Sequence, residues 1–145
     1  MDITLQPVTR QNFERVIALK TTPEQERFVA PNLYSLAEAA VEPDWTPLAL
    51  CAGEEVVGFA MFGLEEGAGR WWIIRFMIGA GRQGQGYGTA ALPKLIALMT
   101  ERHAPREILL GYEPENAIAE RLYARFGFVP TGELEAGEII ARLEL

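Results

Sequence analysis

The stretch from Arg75 to Leu92 holds residues whose types and spacing suit a definite chemistry. An apolar run, Trp71 to Ile78, passes directly into Gly79-Ala80-Gly81-Arg82-Gln83-Gly84-Gln85-Gly86-Tyr87-Gly88-Thr89. Glycine lets a backbone approach a ligand closely and take left-handed turns at little steric cost. Where such a loop opens a helix, the N–H groups of the first turn have no intrahelical partner and point at an anion. The chemistry implied is phosphate binding. Two common phosphate loops are excluded by spacing. A dinucleotide fingerprint needs Gly-x-Gly-x-x-Gly, whereas Gly84, Gly86 and Gly88 are each two apart. A Walker loop needs a lysine and a hydroxyl after its last glycine, and none follows Gly84. What stands here is Gln83-x-x-Gly86-x-Gly88, with Arg82 before it.

A second constellation is Asn116-x-x-Ala119-x-x-Leu122-Tyr123-x-x-x-Gly127-Phe128. Asparagine suits a helix N-cap, and a phenol on the same helix is a proton donor. Both motifs, in this order with a strand between them, resemble the GNAT superfamily of N-acetyltransferases. That superfamily carries Gln/Arg-x-x-Gly-x-Gly/Ala in its acetyl-coenzyme A loop and Asn-x-x-Ala-x-x-Leu-Tyr-x-x-x-Gly-Phe after its fifth strand. Ser35-Leu36-Ala37-Glu38, Trp72-x-x-Arg75-Phe76-Met77-Ile78 and the glycine loop look most like its spermine/spermidine (diamine) branch. The chain departs from that branch at Ile74, where an acidic residue often stands, and at Gly79, where aspartate often stands.

The resemblance implies a GNAT fold with acetyl-CoA as co-substrate and a small-molecule primary amine, such as spermine or spermidine, as acceptor. Gln83, Gly84, Gln85, Gly86, Tyr87, Gly88 and Thr89 would hold the pyrophosphate through oriented donors, with Arg82 adding an ion pair. Phe76, Met77 and Ile78 would offer backbone groups to the pantetheine arm, as if to another strand, in a gap between splayed fourth and fifth strands. Asn116 would bond that arm. Tyr123 would protonate the departing thiolate, and an N–H near Ile78 would stabilise the oxyanion. Arg125 would approach the 3′-phosphate. The amine must lose a proton before attack, and Glu113, Glu26 and Glu38 are candidates for receiving it, Glu113 because it follows the fifth strand. No metal is implied. Two alternatives are an acyl-CoA-binding sensor or partner-binding module without catalysis, and a GNAT enzyme acting on a protein N-terminus, a lysine or an antibiotic.

Composition sets the outer bounds. With 145 residues, 49% of them apolar, the chain suits one domain, residues 1–145, with one core. A net charge of −7 disfavours nucleic acid and anionic membranes and favours a cationic substrate. No membrane-spanning run or leader is apparent, and the expected location is the cytoplasm. The lone Cys51 excludes an internal disulfide and a cysteine-based metal cluster. A homodimer is left open.

The elements that must position these residues follow from periodicity. The pattern predicts a strand over Ile3–Val8, a helix from Arg10 to Lys20 capped by Thr9, and a short helix from Pro23 to Ala30. A further helix starts at the capping box Ser35–Glu38. Leu48–Ala52 and Val56–Gly63 form a hairpin, and Trp71–Ile78 is the central strand. A helix runs from Tyr87 to Arg102, bent mildly by Pro93, with His103 as a surface cap at its C-terminal end. Strand Ile108–Tyr112, helix Asn116–Phe126 and strands Phe128–Thr131 and Glu138–Leu145 complete the chain, the last two joined across Gly132–Gly137. The fold class is α/β, a mixed twisted sheet of about seven strands with helices on both faces.

Overall fold

Along Trp45–Ala52 (β2), Leu48 and Leu50 face one side of the sheet and Ala49 and Cys51 the other, and all four are buried. A strand apolar on both sides must be covered on both sides. The covering helices fall into two pairs. The structure, a computed structural model, describes residues 2–145. Tyr87–His103 (α3) and Ala117–Arg125 (α4) pack on one face through Ala91, Leu92, Leu95, Met99 and Tyr123. Phe13–Ala18 (α1) and Asn32–Val41 (α2) cover the other through Val16, Leu36 and Ala39.

The sheet has seven strands in the order β1-β2-β3-β4-β5-β7-β6. Besides β2, these are Thr4–Pro7 (β1), Glu55–Leu64 (β3), Trp71–Ile78 (β4), Glu107–Tyr112 (β5), Val129–Glu135 (β6) and Glu138–Glu144 (β7). Neighbours are antiparallel except β4 and β5. The β4–β5 ladder consists of Trp71↔Ile108 and Trp72↔Leu109 and then stops. From Ile73 onward the two strands diverge, leaving one edge of Phe76–Ile78 without a strand partner. A register shift in the β3–β4 ladder leaves Ile74 without an opposite residue, a bulge that bends β4 just before the opening.

Several local expectations are corrected. Helix α1 starts at Phe13, not Arg10, because the Asn12 side chain accepts from Thr9 N–H (2.8 Å) and donates to Pro7 O (3.0 Å), tying up the chain in a turn first. Ser35 does not open α2. The helix begins at Asn32, and Ser35 lies buried within its first turns. The segment Pro23–Phe28 is a 3₁₀ helix. Strand β6 runs on to Glu135 past an irregularity at 131–133, so the final turn is only Ala136-Gly137, with φ of 52° and 83°. Two positive φ values in a two-residue turn match the right-handed twist of the flanking strands. His103 is exposed at the end of α3, yet its ring stacks on Trp71 at 4.0 Å. Helix α3 continues through Pro93 to His103. Among the described residues, no helix is long and apolar enough to cross a membrane.

Candidate active site

The divergence of β4 from β5 opens a groove of about 480 Å³ between the C-terminal half of β4, the glycine loop and α4. Its floor is Phe76, Met77 and Ile78, and its far end is the N-terminus of α3. Gly84 has φ of 75° and Gly86, the N-cap of α3, has φ of 90°. Both are left-handed conformations that a side chain would strain. A Cβ at Gly84 would meet nothing within 4 Å. The protein itself therefore leaves that space open beside the free N–H groups of the α3 first turn, a fit for a bound pyrophosphate. Tyr87, Gly88 and Thr89 line the same wall. Of the residues assigned to this loop, only Gln85 does not line the groove; it is exposed and its amide reaches back toward Gly81 O (3.4 Å). A backbone role is what remains for it.

Arg82 reaches the groove while its guanidinium pairs with Glu55, so its charge is already partly met. Two other arginines, Arg121 and Arg125 on α4, line the groove as well. Arg121 was not singled out in the sequence; a cation one turn before Arg125 on the same helix was the available signal. Asn116 caps α4, its side-chain oxygen accepting from Ala119 N–H at 3.2 Å, and also lines the groove.

A second cavity, of about 780 Å³, lies on the other side of this junction. Phe28, Val29, Phe76, Asn116, Ala119 and Tyr123 border both spaces. Tyr123 is only 8% exposed. Its ring packs against Tyr112 (6.0 Å between centroids) and Phe128 (5.9 Å), which fix its direction. Burial, with a smaller contribution from the charge of Glu138, raises its pKa well above the usual phenol value. It is a neutral proton donor at physiological pH, which suits a general acid.

The second cavity is lined by five glutamates, Glu26, Glu65, Glu113, Glu135 and Glu138, against two arginines, Arg27 and Arg75. Glu65 is engaged by Arg70 (3.0 Å) and the Trp72 indole N–H (2.7 Å). Glu38, a candidate proton acceptor in the sequence, lines neither cavity. Its carboxylate is held by Arg75 at 2.9 Å, so that candidacy falls. Glu26 lies exposed on the rim, and Glu113 sits half-buried beyond β5. Glu138 escaped sequence reasoning because it belongs to no linear motif. Burial raises its pKa, Glu113 and Glu135 push it further up, and Arg75 opposes them. Ile74, the departure noted in β4, adds an apolar patch to this wall. Gly79 has a packing reason: a Cβ there would lie 2.7 Å from Leu19 Cδ2.

Comparison with known proteins agrees with this geometry. The model of the acetyltransferase (GNAT) family matches residues 13–128. The spermine/spermidine N(1)-acetyltransferase of Bacillus subtilis (strain 168) is 33% identical over 141 residues, covering 93% of each chain. Among solved structures, a Vibrio cholerae spermidine N-acetyltransferase in complex with CoA and spermine superposes with a TM-score of 0.77 at 16% identity, over 99% of this chain and 94% of that one. A Thermoplasma acidophilum PaiA N-acetyltransferase in complex with coenzyme A gives 0.74 at 14% identity, over the full length of both. With a family match over most of its length and a relative at this identity along nearly all of it, the chain belongs to the acetyltransferase (GNAT) family.

Proposed function

We propose that this enzyme moves the acetyl group of acetyl-CoA to a primary amine of a polyamine such as spermine or spermidine. The observation that carries the reading is the junction at Phe76, Asn116 and Tyr123, where a groove shaped for a phosphate-bearing coenzyme meets a cavity rich in carboxylates. Acetyl-CoA would lie along Phe76–Ile78, with its pyrophosphate at the glycine loop, Arg121 and Arg125 near its phosphates, and Asn116 on the pantetheine arm. The acceptor would enter from the acidic side. A cavity whose glutamates outnumber its arginines concentrates a polycation and aligns its ammonium groups. Glu113 belongs to that field. The name of the Bacillus relative points to the same acceptor class.

The chain's residues then divide the work. The groove fixes the thioester opposite the acceptor and removes the entropy of encounter. An N–H near Ile78 meets the oxyanion. Tyr123 delivers a proton to the leaving sulfur. The coenzyme supplies an activated acyl group. The cytoplasm, where acetyl-CoA is available, is the compartment we assign to the reaction.

A panel of amines tests this by following thiol release from acetyl-CoA. Release with spermine and spermidine is expected, with a KM that rises with salt as the carboxylate field is screened. Tight acetyl-CoA binding with no release from any amine would favour a sensor instead. Release only with peptides or antibiotics would overturn the polyamine assignment.

A further inference from the structure

We propose that Glu138, on β7, takes the proton from the acceptor's ammonium group before the nitrogen attacks. This rests on the amine transfer proposed above and adds the residue that transfer requires.

The carboxylate owes its position to an absence on the neighbouring strand. Gly111 of β5 has no side chain, and Glu138 Oε1 lies 2.9 Å from where its Cβ would be. Any other residue at 111 would press the carboxylate aside. Glu138 shares the acceptor cavity with Tyr123, and its negative charge reaches the phenol. Acid and base thus border one chamber, next to the groove where the thioester would lie. Three of the other carboxylates of the cavity are less suited. Glu65 is hydrogen-bonded, while Glu26 and Glu135 are exposed. Glu113 lies in the loop beyond β5, beside Glu138.

The charged and titratable groups facing Glu138 come from four directions: Arg75 from β4, Glu113 from beyond β5, Glu135 from β6 and Tyr123 from α4. Burial and the two glutamates favour the protonated form, and Arg75 opposes without cancelling them. A carboxylate with raised proton affinity is a better base for an ammonium than an ordinary one. The hairpin also sets Glu135 directly opposite Glu138 across the Ala136-Gly137 turn. Like charges so paired destabilise a sheet. The arrangement costs the fold stability and suits a site that needs a basic carboxylate.

The steps balance. Glu138 accepts one ammonium proton, freeing the nitrogen lone pair. Nitrogen attacks the acetyl carbonyl carbon, forming the C–N bond, and the C–S bond breaks with its electron pair going to sulfur. Tyr123 gives its proton to that thiolate. A second nitrogen proton restores the phenol, and Glu138 returns its proton to solvent.

Glu138→Gln and Glu113→Gln, compared with the parent on spermidine across pH, test the assignment. Glu138→Gln should lower kcat/KM about 10²-fold or more near neutral pH. It should erase the acid limb of the pH profile while leaving acetyl-CoA affinity unchanged. Its melting temperature near neutral pH should not fall, and should rise, because the folded protein no longer carries a disfavoured charge; loss of a structural residue would lower it. Glu113→Gln should keep the limb and move it to lower pH. A Glu138→Gln enzyme within threefold of the parent with its limb intact, or a limb lost in Glu113→Gln instead, overturns the proposal. Failure of the parent to acetylate any amine would refute the transfer reading and leave a separate check on the residue. Carboxyl carbon NMR of the acetyl-CoA complex should show a glutamate signal, missing in Glu138→Gln, that titrates above the ordinary value of about 4.3. An ordinary value there overturns the assignment.

Discussion

Gln25 and Gln83 clasp each other across the mouth of the coenzyme groove: each side-chain amide donates to the other's oxygen, at 3.1 and 2.7 Å. Gln83 Nε2 also lies 2.9 Å from Ile78 O, the last residue of β4. One side chain thus joins the glycine loop to the central strand and to the 3₁₀ segment Pro23–Phe28, which walls both cavities. Replacing Gln25 by Ala removes the clasp without touching the glycine loop. Neutral hydrogen bonds of this kind are worth about 1 kcal/mol net, or about fivefold in an equilibrium. Titration calorimetry should show acetyl-CoA affinity reduced by about that factor, with the KM for the amine raised alongside it. An unchanged pair of constants would mean that the segment does not couple the two spaces.

Tyr123→Phe keeps the ring between Tyr112 and Phe128 and removes one proton donor. General acid catalysis contributes about 10²–10⁴-fold, and a thiolate is a fair leaving group, so a fall in kcat near the low end is expected. Acetyl-CoA affinity should hold, the signature of an interaction made in the transition state. Unchanged turnover, with chemistry rate-limiting, would leave Tyr123 a packing residue.

The same substitution should alter alkaline stability. The raised pKa of Tyr123 means the folded state holds its proton more tightly than the unfolded chain does. Its contribution is fully present below the unfolded phenol value of about 10 and is lost as pH rises beyond it. The melting temperature of the parent should fall more steeply above that pH than that of Tyr123→Phe. Parallel curves would refute the burial argument.

Gly86→Val places a β-branched residue at φ of 90°. The strain is on the order of 1–3 kcal/mol, and because the loop is exposed it can relax by moving. Relaxation would dismantle the cradle, so coenzyme affinity should drop at least about tenfold while the melting temperature changes by a few degrees. Binding as tight as the parent's would show that the pyrophosphate lies elsewhere.

Asn116 caps α4 and lines the groove, and two substitutions separate capping from coenzyme binding. Asn116→Ala removes the cap and should cost about 1 kcal/mol of stability. Asn116→Ser keeps a capping oxygen but withdraws the amide from the junction. Serine should therefore restore the melting temperature and leave acetyl-CoA binding impaired; full recovery of binding would reduce Asn116 to a cap.

Much of the local structure around the groove was legible in the chain because its signals are local. A glycine at a left-handed φ, a helix start and an asparagine cap each involve neighbours a few residues apart, so Gln83–Thr89 and Asn116–Tyr123 could be placed before any packing was known. Local signals also misled. Ser35-Leu36-Ala37-Glu38 has the form of a capping box, yet Ser35 is buried inside α2 and Glu38 turns to Arg75 of β4. A long-range ion pair and burial against the sheet outweighed a cap worth about 1 kcal/mol.

The glutamate-lined cavity was decided by tertiary structure. Strand β7 enters the sheet between β5 and β6, out of chain order, and that insertion sets Glu138 over Gly111 and in the same cavity as Tyr123. The clasp of Gln25 and Gln83 likewise spans elements far apart in the chain. The sequence determined the strand and helix periods, the glycine loop and the place of Tyr123 on its helix, because backbone geometry and periodicity are properties of short segments. Which carboxylates share a chamber, and that Glu138 holds its proton more tightly than usual, depends on the sheet order and the burial it creates. Those exist only once the strands have paired.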